Sequence, residues 1–210
     1  MKKLIRIIIF IGMLFLLVYS SVTIQPLSEY KKASSQPAFD AQAYAEAYWD
    51  STILPGLDSG VDLEYFLRIV QEDSEGAFKQ YGNAISIGNI RYFLVKAQGR
   101  IGAIDENAIA VQLVNVDGAD KVMLAVEFIY GNAARDVFGA IDINEFESTA
   151  ALNKVSEEIN KLIRAQVVTP FLQNIQEGDL IEIIGVLEMN QKFLALDNLE
   201  LIPLKLSIAS

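Results

Sequence analysis

Arg135 and Asp136 stand side by side at the end of the stretch Gly131-Asn132-Ala133-Ala134-Arg135-Asp136, where small residues let the backbone approach a ligand closely. The planar fork of an arginine suits a carboxylate, a phosphate or sugar hydroxyls. The plainer reading is an arginine that pairs with an internal acid and braces a chain connection, and it is the favoured one. Arg100, in Gln98-Gly99-Arg100, is a second candidate at a strand bend, again with an exposed or structurally paired arginine as the plainer account. Tyr44, Tyr48 and Trp49 could stack on a sugar ring, although aromatics at helical spacing more often face a core.

Acidic side chains offer less. Glu145, Glu147, Glu157 and Glu158 invite comparison with the paired carboxylates of a glycosidase. Glu157 and Glu158, however, fall on the polar side of an amphipathic helix, where solvated acids are expected. Asp105-Glu106-Asn107 and Asp117-Gly118-Ala119-Asp120 are oxygen-rich but lack the ligand spacing of a calcium loop, so turn chemistry explains them. The chain has no cysteine and no histidine. Disulfides, thiolate and imidazole metal sites, a Cys nucleophile and a His general base are therefore excluded. No phosphate-binding loop or dinucleotide fingerprint is present. Neither an enzymatic activity nor a metal or other cofactor is expected.

Charge narrows the partners. The 210 residues carry a formal net charge of -10, and beyond the first thirty residues 14 basic side chains face 26 acidic ones. Phosphate backbones would repel such a surface, so nucleic acid is not an expected partner.

Positioning these residues requires the following elements. Lys2, Lys3 and Arg6 precede an apolar run from Ile7 to Val18 and then Tyr19-Ser20-Ser21-Val22, the layout of an export signal. As a helix, Leu4 to Ile24 would span about 30 Å, enough to cross a bilayer core. Residues 1–24 are thus expected to be a signal-anchor, with cleavage after Ser20 as the other reading. Residues 25–38 form a polar tether, and residues 39–210 a single domain outside the cytoplasmic membrane. Its part from 39 to 89 reads as helical. Asp40 is an N-cap, Phe39 and Tyr44 a hydrophobic staple, and Pro55-Gly56 a helix end. Asp62 caps a second helix with Tyr65, Phe66, Ile69 and Val70 inward, and residues 74–82 form a short helical turn.

From Ile90 the period becomes strand-like. Strands are expected at 92–104, bent by Gly99 and Gly102, then at 108–114 and 122–130. A long helix follows on Leu152, Val155, Ile159, Leu162, Ile163 and Val167, with Asn144 and Glu147 spaced as a capping box and Pro170 bending or ending it. Strands at 179–187 and 193–208, the latter interrupted near Asp197-Asn198, close the chain. Three strands, a helix and two strands predict an α+β fold, an OB-like five-stranded antiparallel barrel over residues 90–210 with N-terminal flanking helices.

The stretches FDAQAYAEAYWDSTILP (39–55), Tyr81-Gly82, YFLVKAQGRI (92–101), YGNAARD (130–136) and INEFESTAALNKVSEEIN (143–160) together resemble a bacterial family. It is the family of predicted periplasmic lipoproteins of unknown function, number 2291 among the domains of unknown function. The resemblance implies an extracytoplasmic location and an association with sugar-type ABC uptake. The chain departs from it at Ser20-Ser21, where a lipoprotein would carry its lipidated cysteine, so a helix would replace the lipid. The expected function is a membrane-tethered binding or accessory protein that contacts a transporter or a solute-binding protein in sugar or nucleoside uptake. An envelope assembly protein is the alternative, and a hydrolase using carboxylates alone is a third. The oligomeric state is not legible in the sequence.

Overall fold

The structure is a computed structural model that describes residues 39–85, 87–114 and 121–209, with Lys3, Arg6, residues 10–15 and Tyr19 from the N-terminal segment. The chain divides into two units, residues 1–39 and 40–210. Among the described residues no helix is long and apolar enough to cross a membrane. The expected anchor at 1–24 falls mostly, and the tether at 25–38 and the turn at Asp117-Gly118 fall entirely, outside the described residues.

Five strands close a barrel in the second unit, β1 (Ile90–Ile104), β2 (Ala108–Leu113), β3 (Lys121–Ala125), β4 (Leu180–Asn190) and β5 (Leu199–Ile208), and the two-residue strand Val61–Asp62 adds to the sheet, parallel to β1 at Val95 and Lys96. β1 pairs antiparallel with β4 from Ile90 to Arg100, and with β2 from Gly99 to Ile104. β2 pairs with β3, β3 with β5, and β5 with β4, so the ring closes. This is the OB connectivity. One expectation is corrected: the barrel is not wholly antiparallel, because β3 and β5 run parallel, with Val122 opposite Leu199 and Leu124 opposite Leu201. The helical crossover returns the chain to the far side of β1. The β4–β5 hairpin must then lay its second strand beside β3 in the same direction. β3 and β5 are also shorter than expected, since 126–130 and 193–198 are irregular.

β1 passes from β4 to β2 at Gly99 and Arg100, which pair with both strands. A Cβ on Gly99 would lie 2.5 Å from Val111 Cγ1 and 2.7 Å from the Gln112 carbonyl oxygen, so only glycine fits. The barrel interior follows the two-residue period, with Ile101, Ile109, Val111, Val122, Leu124, Ile181 and Leu201 buried. Tyr92 to Val95 are buried on both faces, since helices cover the outside of β1. The rings of Phe66 and Phe78 lie 4.6 and 4.9 Å from that of Phe93.

Those rings belong to α2 (Leu63–Glu72) and α3 (Ser74–Tyr81), which follow α1 (Ala41–Tyr48). Asp40 caps α1 through the Ala43 N–H and Asp62 caps α2 through the Tyr65 N–H, as the sequence predicts. Tyr65 itself is exposed, and Leu63 and Leu67 take the inward positions beside Phe66 and Val70. After β3 come a short α4 (Ala133–Asp136) and the long α5 (Thr149–Leu162), whose Val155 and Ile159 are wholly buried. Ser148, not Asn144, caps α5, accepting from the Ala151 N–H. Asn144 is taken up in a preceding 3-10 turn capped by Asp142.

Pro55-Gly56 does end the first helix, whose last α-turn is Leu54–Gly56 before a 3-10 turn at Leu57–Ser59, and Pro170 lies in the last turn of the long helix, Thr169–Leu172. α1 continues through a π-helical turn (Trp49–Ile53) before Pro55, and α5 through another (Ile163–Val168) before Pro170. In each case the N–H of the residue before the proline, Leu54 or Thr169, bonds five residues back, to Trp49 or Arg164. A proline in an α-helix strands the carbonyl four residues back and collides with it; the wider turn relieves both.

Candidate functional site

The backbone after β3 turns at Gly131 (φ 77°) into α4, which buries Arg135 and Asp136 at 4% and 0% exposure. Arg135 Nε donates to Asp136 Oδ1, and Nη2 to Oδ2 at 3.0 Å. Its Nη1 reaches α5, donating to Ser156 Oγ at 2.9 Å and to the Leu152 carbonyl at 3.3 Å. Asn132 Nδ2 donates to Asp136 Oδ2 at 3.3 Å, and the Tyr48 hydroxyl donates to the Arg135 carbonyl. The guanidinium is thus turned inward onto an acid and a helix, the geometry of a brace between α1, α4 and α5. Among the described residues no buried side-chain nitrogen or oxygen lacks a partner. Burial pushes the Tyr48 hydroxyl far above its ordinary pKa. That of Tyr92 is pushed up to about 12, by burial first and then by the charges of Glu188 and Asp136.

The five sequence candidates therefore separate. Tyr48, Arg135 and Asp136 meet in this buried cluster. Trp49 is buried and borders a different concavity of about 630 Å³, between the end of α1, residues 166–174 and the end of β5. Arg100 is exposed, its Nη1 donating to the Gly178 carbonyl at 3.3 Å, and no partner of it belongs to the Arg135 cluster. Glu145 accepts from the Tyr44 hydroxyl at 3.3 Å, whereas Glu157 and Glu158 both pair with Lys161. These acids do not converge. Among the described residues no group of acids, histidines or cysteines could hold a metal ion.

Above the brace lies a concavity of about 500 Å³ and mixed lining between the 129–132 segment and α5. Asn132, Asn153, Ser156, Glu157, Asn160 and Arg164 line it, and the 66%-exposed ring of Tyr130 stands at its rim. Asn160 Nδ2 donates to the Gly131 carbonyl at 3.0 Å and Arg164 Nη1 to the Ile129 carbonyl at 2.8 Å. These bonds fasten the loop and leave Oδ1 of the Asn160 side chain and the other Arg164 nitrogens for a ligand. Amides that both donate and accept, beside an aromatic face, suit a small polyhydroxylated molecule. The sequence reading missed this set, although a signal existed. Ser156 and Asn160 sit four apart on the buried face of an otherwise apolar stripe, and a buried polar residue requires a partner.

The OB architecture has a counterpart among solved structures. The crystal structure of an OB-fold protein from Thermotoga maritima MSB8 is similar at 24% identity, with a TM-score of 0.71, over 82% of this chain and 99% of that chain. No curated protein matches the chain. The model of a family described as predicted periplasmic lipoprotein matches residues 12–207.

Proposed function

Because the chain belongs to the family of predicted periplasmic lipoproteins, we propose that it acts outside the cytoplasm as a non-enzymatic binding or accessory protein. It takes a small polyhydroxylated solute, a sugar or a nucleoside, in the concavity between the 129–132 segment and α5. In this reading residues 1–24 tether it to the membrane, and the domain serves uptake by contacting a transporter or a solute-binding protein. The observation that carries the reading is the convergence of Asn132, Asn153, Asn160 and Arg164 beside the exposed ring of Tyr130. The concavity offers amides, a guanidinium and the single carboxylate of Glu157, without the facing pair of carboxylates that a glycosidase uses.

Calorimetric titration of the full chain with a panel of neutral mono- and disaccharides and nucleosides tests the ligand. At least one member should bind, and Asn153→Ala, an exposed substitution, should weaken it by about tenfold, the effect of losing one or two hydrogen bonds. Absence of binding across the panel, or indifference to Asn153→Ala, refutes the assignment. Cross-linking in membranes that captures no transport component would refute the uptake role.

A further inference from the structure

A second groove, of about 370 Å³, lies where the 128–130 segment, the end of β4, the β4–β5 loop and the start of β5 meet. Its walls carry Phe128, Tyr130 and Phe193, large aromatic side chains 55%, 66% and 78% exposed. The Phe128 and Tyr130 rings stack with centroids 6.0 Å apart. A domain with so complete a core has no packing reason to leave three such rings in water, and exposed aromatic clusters of this kind mark recognition surfaces.

The same groove holds Glu188 and Glu200, and none of its lining residues is a lysine or arginine. Leu187 stands opposite Leu201 in the antiparallel β4–β5 ladder, so Glu188 and Glu200, the next residues of the two strands, come together on the groove wall. Like charges held together are unfavourable when the groove is empty, and a positive group between them would relieve the repulsion. An aromatic face attracts the same kind of group through its quadrupole, most strongly an alkylated or primary ammonium. A phosphate or carboxylate ligand would meet two negative charges and no counter-charge. A neutral polyol could use the rings and hydrogen-bond the carboxylates, but it would leave their mutual repulsion uncompensated.

We propose that this groove is a binding site for a small organic cation carrying an ammonium group, held by Phe128, Tyr130 and Phe193 through their ring faces and by Glu188 and Glu200 through charge. The site is distinct from the amide-lined concavity and does not rest on the reading given for it, although Tyr130 borders both.

Calorimetry of the full chain at low salt tests it, with choline as the cationic probe and 3,3-dimethylbutan-1-ol as its neutral isostere. Choline should bind at least about tenfold more tightly than the alcohol, the difference expected for a cation–π and charge contribution. The double variant Glu188→Gln/Glu200→Gln and the loop variant Phe193→Ala should each lose about tenfold in choline affinity. Their thermal unfolding, followed in parallel, shows that the domain remains folded. Asn153→Ala should leave choline binding unchanged. No choline binding up to millimolar concentration, equal binding of the alcohol, retention in the double variant, or loss in Asn153→Ala would each overturn the proposal.

Discussion

The Tyr48 hydroxyl donates to the backbone carbonyl of Arg135 at 2.9 Å, joining positions 87 residues apart. Through this bond the end of α1 holds α4 against α5, since Arg135 in turn donates to Ser156 and Leu152. The stretches 39–55, 130–136 and 143–160 that carry the family resemblance thus meet physically in one polar brace. Tyr48→Phe keeps the ring and removes the donor, leaving a buried carbonyl unpaired. It should cost about 1–2 kcal/mol of stability, read as a lower urea midpoint with an unchanged slope. A variant as stable as the parent would show that the strut carries no load.

Arg135 and Asp136 are adjacent, both buried, and paired with each other as an ion pair. Asp136→Ala leaves a guanidinium in the interior with only Ser156 and a carbonyl to bond. It should cost about 3–5 kcal/mol. Arg135→Met in that background should recover part of the loss, because removing both charges is far cheaper than removing one. A double-mutant cycle by urea denaturation measures the coupling; strict additivity of the two substitutions would contradict the brace.

The barrel was legible because strand period and element order survive in the residues: Ile109, Val111, Val122 and Leu124, within the expected strands, alternate inward. The parallel β3–β5 pairing was not, since direction depends on the path of the crossover and not on any local pattern. The prolines marked where the helices end, at Gly56 and Leu172, whereas the π-turn that precedes each has no sequence mark. For the sites, residue type drew attention to Arg100 and Arg135, which engage the protein's own backbone and acid. The solvent-facing amides and rings come from segments distant in sequence, Tyr130 with Asn153 and Phe128 with Glu188. Only the closed barrel gathers them.

Gly99, where β1 pairs with both β2 and β4, gives a sharp test of barrel closure. Gly99→Ala sets a methyl group 2.5 Å from Val111 Cγ1 and 2.7 Å from a backbone oxygen that the β1–β2 register holds in place. Relief requires β2 to move away from the strand that pairs with both its neighbours. The substitution should cost about 1–3 kcal/mol, with amide exchange accelerated first in β2. Unchanged exchange there would mean that the barrel accommodates the methyl group without shifting.

Glu188 carries a pH signature that can be measured without any ligand. Burial raises its carboxyl pKa above the ordinary 4.5, and the nearby Glu200 charge raises it further. A carboxyl whose folded-state pKa lies above its unfolded value favours the folded state at low pH, and that contribution is lost as pH rises through the folded value. At neutral pH the ionised Glu188 is therefore a burden, and Glu188→Gln should raise the melting temperature. Solvent around a partly exposed acid limits the gain to about 1–2 °C. As pH falls towards 4 the parent protonates Glu188 and its deficit relative to the variant should close. The same protonation should weaken choline binding in the parent while leaving the residual binding of Glu188→Gln/Glu200→Gln flat across that range. Melting curves from pH 7 to pH 4 on parent and Glu188→Gln decide the first point: a variant less stable at pH 7, or a difference that grows on acidification, would mean that Glu188 is held by a favourable partner and not strained by Glu200.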